Sequence, residues 1–170
     1  ELQQSVIQQN QNPDAIVVID TMNLWIETTL PSLEKVLSDS NILLINESEA
    51  FLLTNENDIN NAARSLIKMG PEVVVIKKGS RGAELFSLTE HIAIDAFPVT
   101  NVVDPTGAGD VFAGAFVSSL ANEDSKETAL IYASASASIS IESFGIEKLQ
   151  SASNNEINDR INFLNKTLKS

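Results

Sequence analysis

Between Val103 and Ala115 the chain reads Val103-Asp104-Pro105-Thr106-Gly107-Ala108-Gly109-Asp110-Val111-Phe112-Ala113-Gly114-Ala115, a stretch that joins flexible backbone to two carboxylates. Proline fixes its own φ and drives the residue before it out of helical geometry, so Asp104-Pro105-Thr106 ends the preceding segment. Gly107 and Gly109 let the backbone turn tightly and present its amides, and the apolar run from Val111 to Leu120 reads as the helix that follows. The first amides of a helix have no partner within it. They carry the positive end of its dipole, roughly half an elementary charge, and can hold a phosphate without a lysine. Asp110 falls in the first turn, facing the same anion. An anion site with a carboxylate beside it points to phosphoryl transfer.

Three further clusters carry chemistry. Asn46-Glu47-Ser48-Glu49 is an Asn-x-x-Glu, which in physical terms is a capping box, with Asn at the N-cap and Glu three residues on. Lys77-Lys78-Gly79-Ser80-Arg81-Gly82 gathers three of the chain's 11 basic residues, either as a solvated turn or as a loop that an anion approaches over Gly79. Asp20-Thr21-Met22-Asn23-Leu24-Trp25 follows an apolar run, and there Met22 and Trp25 read as core residues. Asp104 is suited to capping the Pro105 turn. His91, the only histidine, has no recognisable serine partner and reads as structural. No Gly-x-x-x-x-Gly-Lys-Ser/Thr occurs, and Gly107-x-Gly109 is followed by Phe112 where a dinucleotide fold would want glycine or alanine.

The elements that must position these residues follow from hydrophobic pattern. Ala15 to Ile19, Ile42 to Ile45 and Val73 to Ile76 are short continuous apolar runs, the pattern of strands covered on both faces. Leu2 to Gln9, Ser32 to Leu37, Ala50 to Leu53 and Asp58 to Met69 read as helices, the last stopped by Gly70. The polar turn Gln11-Asn12-Pro13-Asp14 precedes the first strand. Ala83 to Ser87 and Ile92 to Ala96 have a hairpin pattern. Glu127 to Ile141 is helical, its small residues from Ala133 to Ser138 suited to close packing or to a flat ring. A last helix, Glu156 to Leu168, carries Ile157, Ile161, Leu164 and Leu168 as a docking stripe. Strands alternating with helices predict an α/β fold with a mostly parallel central sheet and helices on both faces. Ligands of such sheets bind beyond the carboxyl ends of the strands, and Asp20, Asn46, Lys77 and the Gly107 turn all stand at such places.

Composition narrows the function. At 170 residues, 43% apolar and 20% charged, the chain has the makeup of one globular domain. Its 23 acidic against 11 basic side chains give a net charge of −12, which repels nucleic acid and anionic membrane, so an anionic nucleotide must be bound by local field. The absence of cysteine removes disulfides, thiolate zinc sites and thiol nucleophiles. No apolar run approaches a membrane span and no signal-peptide pattern opens the chain, which makes a cytoplasmic location the default expectation.

The Asp104 to Asp110 stretch resembles the second signature of the PfkB family, the ribokinase-like sugar and nucleoside kinases, which reads Asp-Thr-x-Gly-Ala-Gly-Asp. Here Pro105-Thr106 stands in place of Thr-x, with both acids and both glycines kept. The resemblance implies a ribokinase-like fold whose lid and amino-terminal part lie outside this chain, residues 1–170 forming the carboxyl-terminal, nucleotide-binding part of a single kinase domain. It implies ATP-dependent phosphotransfer to a hydroxyl of a small sugar, with Asp110 as catalytic base at the acceptor and the amides of Gly107, Ala108 and Gly109 as anion hole. Lys77, Gly79, Ser80, Gly82 and Thr106 would bind the nucleotide. Asn46 and Glu49 would organise Mg²⁺ through water, since magnesium keeps several waters, and Asp104, with the segment around Gly145, resembles a K⁺ site. Asp20 and Asn23 would face the acceptor. Many family members have Asp-x-Asn-x-Arg there, and the missing arginine favours a neutral sugar or a nucleoside over a phosphorylated one. A nucleoside kinase of the same family and a non-catalytic nucleotide-binding module are the alternatives, the isolated chain lacking lid and acceptor contacts. Homodimerisation would run through elements this chain does not contain.

Overall fold

The computed structural model describes residues 2–169. Helix α1 (Leu2–Gln9) leads through a turn at Pro13 and Asp14 into strand β1 (Val18–Asp20). Then follow α2 (Asn23–Thr28), α3 (Leu30–Ser38), β2 (Ile42–Asn46), α4 (Glu47–Thr54), α5 (Ile59–Lys68) and β3 (Val73–Lys77). A hairpin of β4 (Ala83–Phe86) and β5 (His91–Ile94) comes next, and four helices complete the chain: α6 (Ala108–Ala121), α7 (Lys126–Ser140), α8 (Glu147–Ser151) and α9 (Asn154–Asn165). The strands lie in the order β1-β2-β3-β4-β5. β1, β2 and β3 are parallel, with Val18 opposite Ile42 and Ile42 opposite Val73. The four residues between β4 and β5 are too few for a parallel crossover, so that pair is an antiparallel hairpin, closed by the Ser87 amide on the Glu90 carbonyl at 2.9 Å. This is the expected α/β fold with a mostly parallel sheet.

The chain forms two compact units. The first runs to Lys77 and includes Leu85–His91; the second comprises Lys78–Glu84 and the chain from Ile92 onward. In the first unit Leu43 and Ile45 of β2, Val74 and Ile76 of β3, Leu37 of α3 and Leu66 of α5 form one apolar cluster. Leu44 and Val75, which alternate with these, are equally buried, so both faces of β2 and β3 are covered, as their continuous apolar runs predict. Each such side chain contributes roughly 1.5–3 kcal/mol of burial. β1 departs from expectation. It is three residues long, begins at Val18 and is only half-buried, because it is the sheet's edge and has one strand neighbour to cover it.

In the second unit α7 packs against α6 and α9. Ala133, Ala135, Ser136 and Ser138 are buried there, beside Phe116, Leu130, Ile139 and Leu164, so the small residues of α7 serve close helix packing. Of the α9 stripe only Leu164 is fully buried; Ile157 and Ile161 are half-covered, and Leu168 lies beyond the helix. The short helices α2 and α8 carry too little apolar periodicity to be read from sequence.

Gly82 joins the lysine-rich turn to β4 with φ +91, and a Cβ built there would stand 2.0 Å from the Ile94 carbonyl oxygen. Gly79, at φ +58, has open space at the same position. Gly82→Ala should therefore cost about 3 kcal/mol or more, and Gly79→Ala roughly 1–2 kcal/mol. Urea denaturation of both variants checks this, and equal losses would contradict the close approach at Gly82.

Candidate active site

Within the first unit, parallel pairing brings the carboxyl ends of three strands side by side. Asn46 ends β2 directly opposite Lys77, which ends β3, and Asp20 ends β1 opposite Leu44. The Lys77 Nζ donates to Asp20 Oδ2 at 2.7 Å, and the other Asp20 oxygen accepts from the Thr21 amide at 2.9 Å. Both oxygens of Asp20 are thus engaged within the protein. Lys78 pairs with Glu84 in the second unit, a partner that sequence reasoning missed; it would be legible only once β4 is known to fold back beside the turn. The two adjacent lysines therefore have different carboxylate partners, Lys77 at the sheet edge and Lys78 across its own turn.

Asn46 is at once the last residue of β2 and the N-cap of α4. Its Oδ1 accepts from the Glu49 amide at 2.8 Å, and Glu49 Oε2 accepts from the Asn46 amide at 3.1 Å, a complete capping box. Glu49 is 7% exposed, and burial holds its carboxyl above the usual range; the Asn46 amide and Lys77 oppose that effect, and Asp20 adds to it. Among the described residues no group of three or more His, Cys, Asp or Glu side chains could hold a metal. The capping box leaves Glu49 Oε1 and the Asn46 amide group for water. This donor set fits a magnesium ion reached through its waters and does not fit direct ligation.

In the second unit, α6 begins at Gly107, whose φ of +78 is left-handed and which offers no side-chain cap. The first intrahelical bond runs from the Val111 amide to the Gly107 carbonyl at 2.9 Å. Before it, the Ala108 amide donates to the Pro105 carbonyl at 3.2 Å, and the Thr106 amide donates to Asp104 Oδ1 at 2.9 Å. This turn holds the three residues expected to form the anion hole, Gly107, Ala108 and Gly109. Ala108 is engaged in the turn, and the amides of Gly107, Gly109 and Asp110 are the ones without an acceptor among the described residues. Gly109 also lies inside the helix, so only Gly107 uses glycine's conformational freedom.

The Asp110 carboxylate is exposed and overhangs the turn: a Cβ on Gly107 would stand 4.0 Å from its Oδ2. Asp104 caps its own turn, and the Thr106 amide holds its carboxyl below the usual range. Behind the turn, the Ile141 carbonyl accepts from the Val103 amide at 2.8 Å and from the Asp104 amide at 3.2 Å. Gly145, with φ +57, is exposed, as is Phe144 beside it.

Met22 and Trp25 are 48% and 42% exposed, which corrects their reading as core. α2 is six residues long and buries only Ile26, so its other apolar side chains have nothing to cover them. Asn23 opens that helix and is exposed. Thr21 was missed by the sequence reading: its hydroxyl is the buried polar side-chain atom that lacks a partner among the described residues. His91 stacks on Phe86 with ring centroids 4.4 Å apart, in keeping with a structural role.

A buried carboxyl that binds its proton more tightly in the folded than in the unfolded chain lowers stability once ionised. For Glu49 the folded value lies above 4.5. Wild-type stability should therefore fall, relative to Glu49→Gln, as pH rises from that value through the folded one, and level off above it. Urea denaturation of both proteins at pH 4 and pH 8 checks this; a difference independent of pH would contradict it.

A profile of the family described as pfkB family carbohydrate kinase matches residues 1–152. A cytidine kinase from Thermococcus kodakarensis is 39% identical over 87 residues, which is 50% of this chain and 31% of that protein. A ribokinase from Arabidopsis thaliana is 33% identical over 132 residues, 74% of this chain and 34% of that protein. Among solved structures, the Arabidopsis ribokinase complexed with ribose and ATP has a TM-score of 0.79 at 27% identity, over 94% of this chain and 52% of that one. An E. coli protein assigned as ribokinase II, in complex with ATP and Mg²⁺, has a TM-score of 0.75 at 27% identity, over 88% and 49%. The chain thus spans about a third of the curated relatives and about half of the solved chains. Because the profile covers residues 1–152, most of its length, this chain belongs to the pfkB family of carbohydrate kinases.

Proposed function

We propose that this chain is the nucleotide-binding, base-carrying part of an ATP-dependent kinase that phosphorylates a hydroxyl of a small sugar. The observation that carries the reading is the Asp110 carboxylate standing exposed over a helix start whose Gly107, Gly109 and Asp110 amides are unengaged. In the transfer, the acceptor hydroxyl oxygen bonds to the γ-phosphorus of ATP and the bond from that phosphorus to the β,γ-bridging oxygen breaks. The hydroxyl proton passes to Asp110, and ADP leaves. The three amides stabilise charge on the transferring group, a contribution that a low-dielectric site enlarges.

Lys77, Gly79, Ser80, Gly82 and Thr106 are assigned to the nucleotide. The open space over Gly79 supports close approach of an anion to the main chain there. Lys77 would exchange part of its bond to Asp20 for phosphate oxygens. Asn46 and Glu49 would hold Mg²⁺ through water, and the ion would supply charge neutralisation at the phosphates. Asp20 and Asn23 are assigned to the acceptor side. Potassium at Asp104 rests on family resemblance alone. No described helix is long and apolar enough to cross a membrane; a cytoplasmic enzyme, dimerising through elements outside this chain, is the accompanying reading.

A nucleoside acceptor is the second reading, favoured by the 39% identity to a cytidine kinase. A binding module without transfer is the third, favoured by the chain's partial span of its relatives.

Calorimetric titration of the folded chain with a non-hydrolysable ATP analogue, with and without Mg²⁺, tests the nucleotide site; a folded chain that ignores the analogue would count against it. In a protein that transfers phosphate, with ribose and cytidine offered in parallel, Asp110→Asn should lower turnover at least about a hundredfold and leave the affinity for ATP nearly unchanged. Near-normal turnover would remove Asp110 from the role of base.

A further inference from the structure

Arg160, on α9, is 4% exposed and lies in the part of the chain that the family profile does not reach. An isolated buried guanidinium is costly, and this one has partners for both of its terminal nitrogens. Its Nη1 donates to Ser138 Oγ at 3.0 Å, and its Nη2 to Glu142 Oε2 at 2.7 Å and to Glu156 Oε1 at 3.4 Å. The plane also stacks over the Phe97 ring, 4.6 Å from its centroid. Glu142 is the residue immediately after Ile141, and the Ile141 carbonyl receives both the Val103 and the Asp104 amides. Asp104 in turn fixes the Thr106 amide at the threshold of Gly107.

We infer that Arg160 is a positioning residue for the Gly107 turn. By clamping Glu142 it holds the end of α7, and the Ile141 carbonyl then sets the path of residues 103–106 into the start of α6. The guanidinium touches neither Asp110 nor the free amides, so its influence is on their placement. The inference rests on the phosphotransfer reading for its catalytic consequence; the mechanical coupling stands apart from it. A positively charged fork is suited to this task because one planar group satisfies three partners in fixed directions.

The test is hydrogen exchange of backbone amides in wild type, Arg160→Met, Arg160→Lys and Glu142→Gln, alongside kinetics. Exchange at the hydrogen-bonded amides of Val103, Asp104, Thr106, Ala108 and Val111 should accelerate about tenfold or more in Arg160→Met and Glu142→Gln, beyond any change in the middle of α7, with partial recovery in Arg160→Lys. Where transfer is measurable, kcat should fall about tenfold to a hundredfold while KM for ATP changes little, the mark of a displaced base. Acceleration spread evenly over α6, α7 and α9, or none at those bonded amides of the turn, would overturn the positioning role whatever the activity. Glu142→Gln leaves Arg160 its other partners, so it serves if Arg160→Met fails to fold. If the wild-type chain transfers nothing yet the variants show localised acceleration, the coupling is supported and only the kinase reading is counted against.

Discussion

A helix must begin with amides that it cannot itself satisfy, and how each helix of this chain meets that constraint organises the rest. α4, α5, α7 and α9 each offer a side chain, from Asn46, Asp58, Ser125 and Ser153, to an early amide. α6 offers none. It starts on a left-handed glycine after a proline turn, so its first amides keep their hydrogen-bonding capacity and its dipole faces outward. In a chain of net charge −12, the proposed anion site would rely on that local field and not on a cationic side chain.

The rigidity of such a turn comes from its surroundings. Pro105 limits the approach, Asp104 closes on the Thr106 amide, and one carbonyl, that of Ile141, anchors the two preceding residues. A site on loops is only as well defined as the elements behind it, and here those elements are α7 and α9 with the Arg160 clamp between them. The first unit uses the opposite strategy. Its strand ends are fixed by the parallel ladder itself, and its polar groups are mutually engaged: Lys77 with Asp20, Asn46 with Glu49. Glu49 accepts a burial that works against its own charge to close the capping box.

That capping box also bears on how a motif should be read. Asn-x-x-Glu has a structural explanation and, by family resemblance, a metal-related one, and the geometry makes the structural one real without exhausting the side chains. Two polar groups remain for solvent after both capping bonds are made, so the two roles are compatible in chemistry.

Much of this was legible in the chain alone, for local reasons. Continuous apolar runs of strand length specified β2 and β3, because a strand buried on both faces can carry no polar residue; cap and stop residues specified α5; proline and glycine specified the turn before α6. The place of Asp110 in the first turn of α6 was legible because a first-turn acid and its glycines are neighbours in sequence. Tertiary structure decided what depends on neighbours distant in sequence: that β1 is a half-covered edge, that Met22 and Trp25 stay exposed on a short helix, and that Lys77 and Lys78 take separate partners. It also decided which amides remain free, since Ala108 is lost to a carbonyl three residues back, and it gave Arg160 a role, since a buried cation is tolerated only where the fold assembles its partners from α7 and α9. Periodicity and turn chemistry are properties of a segment, whereas pairing and burial are properties of the packed chain.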